Sequence, residues 1–100
     1  MEDRELTVET YDSVFDALAE TEAEAANMTA RADLLLAIRE QVRSWNLPQE
    51  QAAGRLGLTR PRLNDLLRGK LDKFSLDALV NIATAAGFRL QIILENEQAA

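Results

Sequence analysis

Arg60 and Asn64 stand four residues apart in a stretch whose side chains suit the edges of base pairs. A guanidinium can bond guanine O6 and N7 together, a carboxamide can do the same with adenine N6 and N7, and a carboxylate can accept from cytosine N4. Arg60 and Asn64 are therefore the expected base readers. Asp65 has a plainer role open to it, a surface ion pair with Arg62 or Arg68 at a spacing of three, worth little in energy. Pro61, Asp65 and Arg68, with Arg62 on the flank, complete the candidates facing a groove, while Arg55, Lys70 and Lys73 extend the cationic surface and suit phosphates. Gln49 and Thr59 each begin a helix, where polar groups and unpaired N–H groups meet phosphate oxygens. A phosphate contact positions a duplex without reading it, so each such Lys or Arg contributes to affinity on every sequence.

Other chemistry is excluded by what is missing. The 100 residues contain no cysteine and no histidine, which removes disulfides, thiolate zinc sites, imidazole ligands and Ser-His or Cys-His nucleophile pairs. No pair of acids falls in a pocket-forming pattern. No catalytic, metal or cofactor-binding residue is assigned, and an enzyme is not expected.

The net charge of −6 argues against a polyanionic partner until its distribution is considered. Residues 1–27 hold nine acids against one base, a local balance of −8, whereas Arg43 to Lys73 holds seven bases against three acids, a balance of +4. Such asymmetry suggests a basic reader joined to an acidic interaction segment. The longest uncharged apolar run is Leu34 to Ile38 and the N-terminus opens with acids, so neither a membrane span nor a secretory signal is expected and a cytoplasmic, nucleoid-associated location is.

A set of helices must position the basic stretch. In residues 1–27, Tyr11, Val14, Phe15 and Leu18 fall on one side of a short amphipathic helix, followed by Ala/Glu-rich Ala19 to Ala26, an exposed helix or a flexible connector. Thr29 is expected to cap a core helix carrying Leu34, Leu35, Ile38, Val42 and Trp45. Pro48 opens a short helix from Gln49 to Leu56, ended by Gly57. Thr59 caps a second short helix through Leu67, and Gly69 stops it. Ser75 caps a last helix lined by Leu76, Leu79, Val80 and Ala83, with Gly87 just past its end. In Phe88 to Glu95, Phe88, Leu90, Ile92 and Leu94 alternate with other residues as in a strand. Leu6 to Glu9 could pair with it within the chain, or the same strand of a second subunit could pair across a two-fold axis, which would also set the spacing of two reading helices.

The short helices carry the most specific pattern. Counting from Gln49, the apolar positions Ala52, Leu56, Leu58, Leu63 and Leu66, the small Ala53 and the turn residue Gly57 occur at helix-turn-helix spacing. Ala53 lets two helices cross closely, Gly57 supplies positive φ for the turn, and Leu63 with Leu66 anchors the second helix over the first. A helical hairpin of an unrelated bundle is the alternative to this reading.

From Leu47 to Leu79 these residues resemble the Xre-type helix-turn-helix of small HigA-like antitoxins from bacterial toxin-antitoxin systems, and the likeness extends weakly to Ser13–Leu18 and the terminal FRLQIIL. In that resemblance Thr59 matches the usual capping Ser/Thr, Gln49 a phosphate-contacting glutamine, and Arg68-Gly69 the helix-ending signature. Pro48 departs from it, standing where a capping threonine is usual. The resemblance implies a mainly all-α, lambda-repressor-like bundle of four to five helices with a C-terminal β-strand. It comprises an acidic segment at 1–27, either partner-binding or partly flexible, a helix-turn-helix DNA-binding domain at 28–87 and a dimerising strand with its tail at 88–100. It further implies a homodimeric repressor that binds double-stranded operator DNA and neutralises a toxin, commonly an mRNA endonuclease. On that view Tyr11, Val14, Phe15 and Leu18 would enter a groove on the toxin while the acids steer association; on the other view, the stripe packs on the chain's own core. A stand-alone regulator without a toxin, or an adaptor that does not touch DNA, are the competing functions.

Overall fold

The computed structural model describes the backbone of residues 9–96 and the side chains of residues 21–96. Four α-helices occur in chain order: α1 (Glu9–Trp45), α2 (Gln49–Leu56), α3 (Arg60–Leu67) and α4 (Leu76–Ala85), with a 3₁₀ turn at Leu71–Lys73 between the last two. The chain divides into two compact units, Met1–Asp33 and Leu34–Ala100.

In the first unit α1 is exposed from Thr21 to Thr29, as Ala/Glu-rich sequence without an apolar face must be. Arg31 Nε donates to Asn27 Oδ1 at 2.6 Å, one helical turn away. Thr29 is not a cap. α1 runs through it unbroken, because an N-cap needs non-helical φ/ψ while the alanines and glutamates before Thr29 favour continuing the helix. The stripe of Tyr11, Val14, Phe15 and Leu18 lies on helical backbone, and its side chains lie outside the described residues. Leu6 to Val8 also lie outside them.

The second unit is a helical bundle around one core. Leu35, Ile38 and Val42 of α1, Ala52, Ala53 and Leu56 of α2, Leu63 and Leu66 of α3, Phe74, and Leu79, Ile82, Ala83 and Ala86 at α4 are buried together. Leu34, Trp45, Leu58, Leu67 and Leu71 pack against them. The buried positions recur every three or four residues, as a helix face requires. In α4 the core face falls on Leu79, Ile82 and Ala83, with Leu76 and Val80 half-buried.

Local chemistry sets the helix ends. Asn46 closes α1 at φ 55°, a left-handed conformation that asparagine tolerates better than most residues. No side chain caps α2: Pro48 precedes it with no side-chain hydrogen bond, and proline removes one N–H that would have been orphaned anyway. Gly57 follows α2 at φ 71°, and the Leu58 N–H returns to Ala53 O at 2.9 Å. Thr59 and Ser75 do cap, their hydroxyls accepting from Arg62 N at 3.2 Å and Ala78 N at 3.1 Å. After α3, Gly69 takes φ 74° and the Lys70 N–H reaches back to Asp65 O at 3.1 Å, a bond that satisfies a terminal carbonyl.

From Phe88 to Asn96 no strand forms, nor does one form elsewhere among the described residues. The alternation expected of a strand is there, but a strand exists through hydrogen bonds to a neighbouring strand, and no described segment of the same chain forms such a ladder with this one.

Candidate nucleic-acid interface

Two short helices joined by a three-residue turn present the basic stretch. Ala52 and Ala53, 2% and 3% exposed, leave room for α2 and α3 to approach, and Leu63 and Leu66 are completely buried. An eight-residue helix is marginal in isolation, so the direction in which α3 points is fixed by these leucines and by the Thr59 cap. With Leu63 and Leu66 inward, the opposite side of α3 carries Arg60, Pro61 and Arg68, all exposed, and Asn64, half-exposed. The side chains of Arg60, Asn64 and Arg68 make no hydrogen bond or ion pair to another described residue. Their donors are available to a ligand.

The other cations divide by what they touch. Arg62 turns along the flank of α3, its guanidinium 4.1 Å from the centroid of the Phe74 ring while Nη1 donates to Lys73 O at 2.7 Å. Arg55 lies 4.4 Å from the centroid of the Trp45 ring. Both are fixed by cation–π stacking on residues of the same fold, whereas Lys73, exposed, has its ammonium free to point outward. Lys70 Nζ lies 3.6 Å from Asp65 Oδ1. Asp65 thus has the ion-pair role expected of it, but with Lys70, because the turn at Gly69 brings Lys70 back over α3 where Arg62 and Arg68 point elsewhere. Gln49 and Thr59 are both exposed at the starts of α2 and α3. The Thr59 hydroxyl oxygen is occupied as an acceptor by its own helix and retains its proton for a phosphate oxygen.

Two contributors escaped sequence reasoning. Phe74, 1% exposed, is the platform on which Arg62 lies; a single aromatic in an irregular segment has no periodicity to mark it. Arg39 of α1 backs the turn after α3, where a Cβ on Gly69 would come within 3.6 Å of its Nη1. Phe74, through Arg62 and its bond to Lys73 O, steadies the segment that bears Lys70 and Lys73. No described group of acids could hold a metal ion, and no described helix is long and apolar enough to cross a membrane.

A family model described as a helix-turn-helix domain matches residues 17–95. A solved structure bearing the name of an XRE-family transcriptional regulator matches with a TM-score of 0.70 and 25% sequence identity, covering 77% of this chain and 86% of that one. No curated protein matches the chain.

Proposed function

Because the chain belongs to the helix-turn-helix domain family, we propose that it is a sequence-specific transcriptional repressor of the XRE type that reads operator DNA as a homodimer and serves as a HigA-like antitoxin. One observation carries the DNA-binding part. Arg60, Asn64 and Arg68 stand without a partner among the described residues, on the outward side of the turns whose inward side, Leu63 and Leu66, is completely buried. A helix so anchored presents the backbone positions of bidentate donors at a fixed angle, and the backbone entropy of ordering it is already spent before DNA arrives. Arg60 and Asn64 meet base edges; Gln49, Thr59, Arg68, Lys70 and Lys73 meet phosphates. Arg55 and Arg62 lend charge from the flanks. Two copies of α3 reading successive major grooves require half-sites about 34–36 Å apart.

A gel-shift titration on the DNA upstream of its own reading frame, at two salt concentrations, tests this. Wild type should bind with a steep salt dependence, and Arg60→Ala and Asn64→Ala should each lose about 1–3 kcal/mol of discrimination. Salt-independent retention, or none, removes the proposal.

The antitoxin part is supported by the nine acids in residues 1–27, which suit a basic toxin surface and make no sense as DNA contacts. Co-expression with a small basic protein from the adjacent reading frame tests it. Wild type should relieve growth arrest, and a full-length variant with alanine at Tyr11, Val14, Phe15 and Leu18 should not while still shifting operator DNA. If both rescue equally, the stripe binds no toxin; if no adjacent partner exists, the chain is a stand-alone regulator.

A further inference from the structure

We infer that the exposed ring of Pro61 reads the C5-methyl group of a pyrimidine in the major groove, so that each half-site carries a thymine or a 5-methylcytosine opposite the first turn of α3. The inference rests on the DNA reading proposed above and adds to it an apolar determinant of specificity.

Helical spacing puts Pro61 in the middle of the presented face. Leu63 and Leu66 point into the core and are completely buried. The opposite side of α3 and its C-cap is the set Pro61, Asn64, Asp65 and Arg68, at i, i+3, i+4 and i+7. Asn64, Asp65 and Arg68 end in polar or charged groups. Pro61, exposed, is the apolar member of the set, and Arg60 adjoins it in the same turn.

The backbone of that turn has little to offer a phosphate. Proline carries no N–H, the Arg62 N–H is taken by Thr59 Oγ1 at 3.2 Å, and the Leu63 N–H is taken by Thr59 O at 2.9 Å. The Arg60 N–H and the Thr59 hydroxyl proton are what the start of α3 keeps for an anion. A helix start meant chiefly for phosphates would keep more of its N–H groups and place no ring between them.

What a major groove can set against a proline is narrow. Base edges there are hydrogen-bond donors and acceptors, with the thymine methyl as the exception, and a methyl on C5 of cytosine occupies the same place. A polar edge pressed against Pro61 loses water and gains no partner, which is unfavourable. A C5 methyl against the ring removes apolar surface from water on both sides. The ring has no rotamers to freeze, so the contact costs no side-chain entropy. Pro61 also suits the first turn of a helix, a role that is separable from reading by experiment.

The full-length protein is titrated by gel shift against the duplex upstream of its own reading frame, at two salt concentrations. Each thymine of the footprinted site is replaced singly by deoxyuridine and each cytosine by 5-methylcytosine, changes that preserve base pairing and alter one methyl group in the major groove. At one position per half-site, wild type should lose about fourfold in affinity when a thymine methyl is removed, or gain about fourfold when a cytosine is methylated, the ratio expected for burying one carbon. The first result assigns the methyl to thymine and the second to 5-methylcytosine. Pro61→Ser should bring that ratio below about twofold at the same position, as a lost pairwise contact does. A proline that only starts the helix would instead lower the unfolding temperature on substitution and leave the ratio unchanged. Steep salt dependence with no response to any C5 methyl, or with the same response in Pro61→Ser, overturns this inference and leaves the DNA reading standing. Salt-independent retention, or none, overturns both.

Discussion

The inward and outward faces of α3 and its C-cap lie on the same nine residues, Arg60 to Arg68, and answer to different physics. Leu63 and Leu66 have no exposed surface and touch the core of the second unit; Arg60, Pro61 and Arg68 are exposed, and Asn64 is half so. Burial holds the first set whatever the ligand, and the second set contributes almost nothing to folding. The division shows how a helix too short to be stable alone can present a rigid reading surface. Stability and recognition are separable here because they use opposite sides of one backbone, with Thr59 and Arg62 at the boundary.

The largest expected effect is on the inward face. Leu63→Ala should cost about 2–5 kcal/mol in urea unfolding followed by circular dichroism, as buried leucine truncations do. A loss under half of the lower figure would mean the core relaxes around α3 and its outward face is not rigid. Next comes the outward face: Asn64→Ala should weaken operator binding by about 1–3 kcal/mol while leaving stability within about 0.5 kcal/mol. Should the two quantities fall together, the faces are coupled and the separation fails. Thr59→Ala, at the boundary, should lower stability by about 1 kcal/mol through the lost cap, and its effect on DNA affinity should be smaller than that of Asn64→Ala.

The smallest effect is the sharpest test of the boundary. Arg62→Lys retains a cation but not the planar stack on Phe74 or the geometry of the bond to Lys73 O, so a stability loss of about 0.5–1 kcal/mol is expected. If Arg62 acts on DNA through the segment it holds, Arg62→Lys should lower DNA affinity in the wild type and have little further effect beside Lys73→Ala in a double-mutant cycle. Additive losses would show a direct phosphate contact by Arg62 and move it to the outward face.

The parts of this arrangement legible in the sequence were those with local causes. Ala52, Ala53, Leu56, Leu58, Leu63 and Leu66 declared a core by spacing, and Thr59, Gly57, Gly69 and Ser75 fixed the helix ends, because a hydroxyl beside an orphan N–H or a residue at positive φ acts within a turn of itself. Thr29 misled for the same reason in reverse: a residue able to cap does not cap when the sequence before it prefers to remain helical. The C-terminal alternation names a face without providing a neighbour, and ladder bonds cannot be made by one strand.

The helices from Gln49 onward, their caps at Thr59 and Ser75, the packed leucines and the separation of acidic from basic halves were determined by the amino-acid sequence alone, since propensity, periodicity and charge act between near neighbours. The tertiary structure decided which cations remain free. Arg55 and Arg62 lie over Trp45 and Phe74, and Lys70 lies over Asp65, while Arg60 and Arg68 make no hydrogen bond or ion pair to a described residue. An arginine does not carry in its own flanking sequence the direction from which an aromatic ring will approach it; that depends on where the helices are brought when the core closes.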